Sequence, residues 1–197
     1  MSEDPRTRML AGAVDLMSRG GLPAASMRDL ARHSGTPLGS TYHYFPGGKR
    51  QLALEAVRFA DDQLRSWLGR SLEQGPVAGL REFLAVWRQI LIDSDFEAGC
   101  PVLSVAVTEP RAEEAVSATR DAFVHWCELL SGSLREHGTP ADTAEALALL
   151  IVTSVEGSIA MCRVEGSPRA LDVIARTLEE LTENALAQCT LTRTLDS

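Results

Sequence analysis

The sequence is poor in the residues that build β-sheets and covalent cross-links. Aromatic residues make up 5% of the 197 residues, and no stretch of six alternates apolar and polar residues between turn signals, as a half-buried strand would. The four cysteines are widely spaced and include no C-x-x-C pair, so the sequence indicates neither a zinc site nor a redox motif. We interpret them as free, mostly buried thiols, with a thiol sensor as the alternative. They are Cys100, Cys127, Cys162 and Cys189.

Long apolar runs are also missing. The most apolar stretch, Leu147 to Val155, is interrupted by Thr153 and Ser154. It is too short to span a bilayer, which needs about 20 apolar residues. The first nine residues carry acids and no apolar run, unlike a secretory signal. We therefore expect a soluble, cytoplasmic protein with no membrane partner.

The common catalytic motifs are absent as well. The sequence contains no G-x-S-x-G, H-E-x-x-H or G-x-G-x-x-G, and its PGGKR segment lacks the spacing and the following Ser or Thr of a phosphate-binding loop. His125 and Glu128 lie three residues apart and could ligate a metal, but without further ligands an exposed pair is the favoured interpretation. We predict no enzymatic activity, no catalytic residue, no metal and no cofactor.

Charge is distributed unevenly along the chain. Apolar residues make up 45% of the sequence and charged residues 23%, which is ordinary globular composition. Residues 1–50 contain seven Lys or Arg against four acids, a net charge of +3, whereas the remainder carries −11 of the total of −8. Because negative charge repels phosphates over about 8 to 10 Å, any polyanion binding belongs at the N-terminus.

Helical periodicity runs through most of the chain, interrupted by Gly and Pro. It predicts an all-α fold, with an N-terminal three-helix helix-turn-helix DNA-binding domain (residues 1–50) and a C-terminal helical domain for ligand binding and dimerisation (residues 51–197). The first helix should end at Gly20-Gly21. The predicted C-terminal helices cover residues 52–72, 77–92, 99–107, 111–136, 142–164 and 168–188.

A helix-turn-helix is predicted between residues 26 and 45. Ser26 offers an N-cap hydroxyl and Asp29 a carboxylate three residues later, so a helix should begin there and run to about residue 33. Ser34-Gly35-Thr36-Pro37 then breaks the chain, and another helix carries Leu38 to Tyr44. Two short helices joined by a glycine-containing turn are typical of DNA-binding proteins.

This segment, MRDLARHSGTPLGSTYHYFPGGKRQL, resembles the DNA-binding domain of the tetracycline-repressor (TetR) family of bacterial regulators. The resemblance covers about residues 6 to 58. The family usually places two residues between the phenylalanine and the lysine, whereas Pro46, Gly47 and Gly48 make three here. This variant, with the later GCPV at residues 99–102, resembles the LmrA/YxaF-like subgroup. The residues that carry the resemblance are Gly35, Tyr42, Tyr44, Phe45, Lys49 and Leu52.

The resemblance implies a DNA-contact surface on the third helix. Its first four residues would lie toward the base edges, and its later residues, with Lys49, mainly on phosphates. Thr41 stands where an aliphatic residue normally packs, so it is either a core methyl or a DNA contact. Tyr44 is equally a DNA contact or a core residue, and Phe45 should be core. The candidate DNA-binding residues are Ser26, Arg28, Leu38, Gly39, Ser40, Thr41, Tyr42, His43, Tyr44 and Lys49.

The C-terminal region of this family both dimerises and senses a ligand. Apolar stripes on the last two helices would pack against a partner as a four-helix bundle. Their members are Leu147, Leu150, Ile151, Val155, Ile159, Leu171, Ile174, Leu178, Leu181 and Ala185. Aromatic and sulfur-containing side chains could enclose an apolar effector pocket, although such residues are more often simple core. The candidate ligand-binding residues are Trp67, Phe83, Trp87, Cys100, Phe123, Trp126, Cys127, Glu156 and Met161.

Glu156 is a carboxylate within the otherwise apolar segment LIVTSVEGSIAMC. Burial would require a hydrogen-bond donor or a positive partner. It could bind a cationic or hydroxyl group of the ligand, pair across the dimer with Arg163 or another base, or face solvent near Gly157.

These features together predict a ligand-responsive transcriptional regulator. We expect a repressor that binds a palindromic DNA operator as a homodimer and is released by a small, largely apolar effector. A helical scaffold protein without DNA binding is the alternative, but it leaves the basic N-terminus and the side chains of the third helix unexplained.

Overall fold

A computed structural model describes residues 4–108 and 112–195, with the side chains of residues 189–195 excepted. Over these ranges the chain forms nine helices and no strand, which confirms the predicted all-α class. The helices are α1 (Pro5–Ala24), α2 (Met27–His33), α3 (Leu38–Tyr44), α4 (Gly48–Leu72), α5 (Pro76–Asp93), α6 (Pro101–Thr108), α7 (Glu113–Glu136), α8 (Ala141–Glu165) and α9 (Arg169–Leu195).

The chain divides into two compact units. Unit 1 comprises Met1–Gln63 and Glu97–Ala122, and unit 2 comprises Leu64–Phe96 and Phe123–Ser197. Unit 1 therefore contains more than the DNA-binding domain predicted at residues 1–50. The reason is that α6 packs against α1, so a segment distant in sequence belongs to the N-terminal unit.

Close packing between α1 and α6 holds unit 1 together. Gly21 has φ +68° and interrupts the helical geometry of α1, where the sequence predicted the helix to end. A Cβ at Gly21 would lie 2.9 Å from the Thr108 side chain, so a larger residue would push the two helices apart. The amide of Gly99 donates to the Ser18 carbonyl at 2.8 Å. Both contacts require the two backbones to approach closely at this junction.

An ion-pair network spans the same junction. Arg19 donates to Asp15 and, at 2.8 Å, to Glu97 just before α6. The hydrogen bond to Asp15, followed by the attraction of its charge, raises the pKa of the Arg19 guanidinium, and Glu97 contributes in the same direction. All three side chains are exposed or half-exposed, so the pairs add little to stability and mainly orient the ends of the helices.

In unit 2, α9 packs against both α8 and α5. The core side of α8 carries Leu147, Ile151, Val155 and Ile159, all of which are buried. α8 is long and apolar enough to cross a membrane by length and composition, although its sequence contains no uninterrupted apolar run of that length. A helix with one side in a protein core passes the same test, and these four residues place α8 in the core of unit 2.

Candidate DNA-binding surface and effector site

The start of α2 is fixed by the capping box that the sequence predicted. The Ser26 hydroxyl accepts a hydrogen bond from the Asp29 amide at 3.1 Å and donates to the Asp29 carboxylate. The Ser26 side chain is therefore engaged in capping and reaches DNA only by giving up these bonds. Arg28, on the first turn of α2, is exposed.

The outward side of α3 presents side chains that the fold leaves uncovered. Leu38 is 41% exposed and Tyr42 51% exposed, and Gly39 and His43 are exposed as well. A Cβ at Gly39 would meet no neighbour within 4 Å. Ser40 is half-buried beside them. Large apolar and aromatic groups exposed together on one short helix indicate a surface that meets another molecule.

Thr41, the one candidate of α3 that is fully buried, faces the other way. Its side chain has 0% exposure, and its hydroxyl donates to the Leu38 carbonyl at 2.7 Å. The sequence left two roles open for Thr41, a methyl group in the core or a contact with DNA, and this geometry favours the first. Thr41 therefore does not belong with the residues that face base edges. Phe45 is also fully buried, as expected, and Tyr44 is half-buried with its ring edge-on to His43 at 5.4 Å.

Two basic candidates at this surface carry charge that the protein itself does not neutralise. Arg32 pairs with Asp29, and Arg50 lies 3.9 Å from Glu114. Arg28 and Lys49, by contrast, form no ion pair with any residue in ranges 4–108 and 112–188. Their charges are therefore available to phosphates.

The ligand-binding candidates of unit 2 include two aromatic pairs. The rings of Trp67 and Phe83 lie 5.8 Å apart, and those of Phe123 and Trp126 meet edge-on at 5.1 Å. Phe83, Trp126 and Trp87 are buried, whereas Trp67 and Phe123 are half-buried. Partial exposure of one ring in each pair leaves aromatic surface for a further apolar contact.

The remaining ligand-binding candidates lie in different surroundings. Cys100 is buried in unit 1. Cys127 is half-buried in unit 2, and burial raises the pKa of its thiol, which therefore stays protonated at neutral pH, unlike the thiolate of a redox sensor. Glu156 is half-buried. Met161 is 53% exposed on the outer side of α8, which fits a partner-facing residue better than a pocket-lining one.

An open surface depression of about 470 Å³ lies at the start of α9. It is lined by Ser167, Pro168, Arg169, Asp172, Val173 and Arg176. None of the ligand-binding candidates borders it, and its charged walls do not suit the apolar effector expected from the sequence.

The outer side of α8 also carries exposed apolar residues. Leu149, Leu150, Met161 and Val164 are 43% to 89% exposed, and a Cβ at Gly157 would meet nothing within 4 Å. On α9, Val173 and Leu181 are 44% and 40% exposed. The apolar residues predicted to form the dimer interface thus lie partly on the core side and partly on the outer side of α8 and α9. Of these residues, Leu147, Ile151, Val155, Ile159, Leu171 and Leu178 are buried within the unit, and Leu150 and Leu181 are exposed.

Comparison with known proteins agrees with this architecture. Residues 9–56 match the bacterial regulatory proteins of the tetR family, and residues 76–177 match the C-terminal domain of LmrA/YxaF-like transcriptional regulators. The chain is a transcriptional regulator of the TetR family. The resemblance to the LmrA/YxaF-like subgroup is thereby confirmed, and its relatives are regulators rather than enzymes, as predicted.

Individual relatives of this TetR-family regulator match over most of their length. An uncharacterized HTH-type transcriptional regulator of Mycobacterium tuberculosis is 34% identical over 91% of this chain and 94% of its own. LmrA of Bacillus subtilis is 31% identical over 79% of this chain and 85% of its own. A TetR transcriptional regulator from Legionella pneumophila has the same fold, with a TM-score of 0.83 at 20% identity, over 91% of this chain and 97% of its own.

Proposed function

We propose that this regulator is a repressor that binds a palindromic operator as a homodimer and is released by a small, largely apolar effector. The observation that carries the proposal is the uncovered side of α3, where Leu38, Tyr42 and His43 are exposed beside the unpaired charge of Lys49. A recognition helix requires exposed side chains that reach base edges, as expected of Leu38, together with phosphate contacts, as expected of Tyr42, His43 and Lys49.

Dimerisation is supported by the apolar outer faces of α8 and α9. Leu149, Leu150 and Val164 would be costly to leave in water, and a second copy of the same helices would cover them in a four-helix bundle. A two-fold dimer would hold two recognition helices about 34 to 36 Å apart, the spacing of successive major grooves. Like other soluble regulators, the protein would then act in the cytoplasm.

Release by an effector would follow from a population shift. The half-exposed rings of Trp67 and Phe123 and the protonated thiol of Cys127 offer an apolar binding environment in unit 2. α4 contributes residues to both units, so it is a candidate for linking effector binding to the DNA-binding helices. An effector that favours a dimer with a different recognition-helix separation would lower operator affinity.

The test of DNA binding is selection of sites from random duplex DNA by the purified protein. We expect enrichment of a palindrome whose half-site centres lie about 10 base pairs apart. The double variant Tyr42→Ala/Lys49→Ala keeps the buried residues of α3 and serves as the non-binding control. Absence of enrichment at both low and physiological salt would refute operator binding and favour the scaffold alternative.

The test of repression and release uses the selected operator upstream of a reporter in a transcription reaction. We expect the protein to lower transcription, and an apolar compound that raises its melting temperature to restore it. Coupling must be reciprocal, so operator DNA should weaken binding of that compound by the same factor. Tight binding of such a compound with no change in operator affinity would contradict the release mechanism, and increased transcription would indicate an activator.

A further inference from the structure

The turn between α3 and α4 is held by side chains that are not among the candidate DNA-binding residues. The amide of Gly47 donates to Gln51 Oε1 at 2.8 Å, and Gln51 Nε2 donates to Glu55 Oε1 at 2.9 Å. The other carboxylate oxygen of Glu55 accepts from the Arg6 guanidinium, which comes from the start of α1. Arg6 also lies over the ring of the buried Phe45, 5.8 Å from its centroid.

These contacts form one chain of hydrogen bonds, here called the Gln51 network (Arg6, Glu55, Gln51 and the Gly47 amide). It runs from α1 through α4 to the turn that contains the additional residue between phenylalanine and lysine. Glu55 has only 20% side-chain exposure and Arg6 44%, so the two bonds to the Glu55 carboxylate are partly shielded from water, whereas the Gly47–Gln51 bond is exposed. Shielding strengthens the charge-assisted bonds to Glu55 relative to those of a fully exposed pair.

The two glycines of the turn fit the network for different reasons. A Cβ at Gly47 would lie 3.0 Å from Gln51 Cβ and 3.1 Å from its Oε1, so a larger residue would require the Gln51 side chain to shift by a few tenths of an ångström. Gly48 has φ +63° and donates to the Phe45 carbonyl at 2.9 Å, closing a tight turn. As the first residue of α4, Gly48 has no side-chain oxygen that could accept a hydrogen bond from a backbone amide at the start of the helix. Gln51 Oε1 provides an acceptor there, for the amide of the preceding residue, Gly47.

We infer that Gln51 is a positioning residue for DNA binding: by fixing the Gly47-Gly48 turn from α4, it sets where Lys49 meets the phosphate backbone. Lys49, which is half-buried, directly follows this turn, so the position of its backbone depends on the conformation of the turn. The inference rests on the proposed operator binding, and it assigns to Arg6 and Glu55 the support of Gln51 rather than a contact with DNA.

A double-mutant cycle on operator affinity tests the inference. Gln51→Ala removes two hydrogen bonds and should weaken binding about three- to tenfold in the wild-type background. In a Lys49→Ala background the same substitution should cost less than about twofold, because the group that it positions is gone. Equal losses in both backgrounds, or no loss in either, would overturn the inference.

Gln89→Ala is the matched control. Gln89 Nε2 donates to Asp93 Oδ1 at 2.6 Å across one turn of α5, which is the chemistry of the Gln51–Glu55 contact on a helix of unit 2. We expect operator affinity to change by less than twofold in this variant. An equal loss of affinity in the two variants would show that Gln51→Ala acts through general stability and would overturn the inference.

Exchanging the two side chains provides a rescue. Gln51→Glu alone keeps the acceptor for Gly47 but sets two carboxylates one turn apart, and it should weaken binding. Combined with Glu55→Gln, it restores a donor, an acceptor for Arg6 and the original net charge, and affinity should return to within about twofold of the wild type. A failed rescue would refute the network. The wild-type titration in the same series tests operator binding separately, because its failure would remove the proposed function itself.

Discussion

Lys49 is the only lysine among the 197 residues, and every other basic side chain is arginine or histidine. An ammonium group contacts phosphate as a mobile point charge without demanding bidentate geometry. Its neighbours on α3 differ in their roles, since Thr41 supports the helix from the core while Tyr42 is uncovered. At the scale of single residues, the candidate surface therefore separates into groups that support it and groups that are free to contact DNA.

Lys49→Ala should weaken binding similarly for all DNA sequences and reduce the slope of log affinity against log salt by about one, because one phosphate contact is lost. Titrations at several salt concentrations measure the slope. Since Lys49 carries the only side-chain amine of the chain, acetylation followed by mass spectrometry reports its contact directly. An unchanged slope, or no protection of the amine by operator DNA, would refute this assignment.

Ser40 and Thr41 should behave oppositely when substituted. Ser40→Ala should change the base preference recovered by site selection, because we expect its half-buried hydroxyl, next to the exposed Gly39, to reach a base edge. Thr41→Val keeps the buried shape but removes the hydroxyl that donates to the Leu38 carbonyl. It should leave base preference unchanged and lower the free energy of unfolding by about 1 kcal/mol, because one hydrogen bond is lost. A changed preference in Thr41→Val would return Thr41 to the contact surface.

At the scale of elements, the turns decide how the short helices present their side chains. α2 and α3 are only seven residues long, too short to be stable alone. Their positions therefore depend on the cap at Ser26 and on the turn at Gly47-Gly48. Gly48 has a φ of +63°, which is unfavourable for any residue with a Cβ. A substitution at Gly48 therefore measures how much the stability of the protein depends on this turn.

Gly48→Ala should lower the free energy of unfolding by about 1 to 2 kcal/mol through backbone strain. Gly69→Ala, within the same helix α4, should instead raise it by about 0.5 to 1 kcal/mol, because a Cβ there meets nothing within 4 Å and alanine favours helix. Urea denaturation measures both values. Equal effects from the two substitutions would contradict the assigned role of the turn.

At the scale of the whole molecule, the outer faces of α8 and α9 are the feature that a single chain leaves unexplained. Burying Leu149, Leu150 and Val164 in a dimer would remove a large apolar area from water. Operator binding would then depend on protein concentration, since a monomer presents only one recognition helix.

Leu150→Glu should convert the dimer to a monomer, raising the dimer dissociation constant at least about tenfold, because each of the two-fold related copies brings a charge to the interface. Sedimentation at micromolar concentration measures the state. Val124→Glu, at a 48% exposed position of α7, is the control and should remain dimeric. A wild-type monomer, or a Leu150→Glu dimer as tight as the wild type, would reject this interface.

Local sequence determined most of the secondary structure. The bounds of α3 were predicted without error and those of α2 to within a residue, because capping side chains and Gly-Pro breaks act over four or five neighbouring residues. The motif from Gly35 to Leu52 was distinctive enough to identify the TetR family. The sequence alone thus determined the fold class, the family and the position of α3.

Tertiary structure decided which side of each helix faces the core and which side faces outward. α8 carries large apolar residues on both sides, so periodicity could not tell that Ile151 faces the core while Leu150 and Met161 face outward. Nor could it place α6 against α1, or join Arg6 to Glu55 across 49 residues of sequence. Such pairings depend on shapes and partners brought together only by the folded chain, whereas capping and periodicity are properties of adjacent residues.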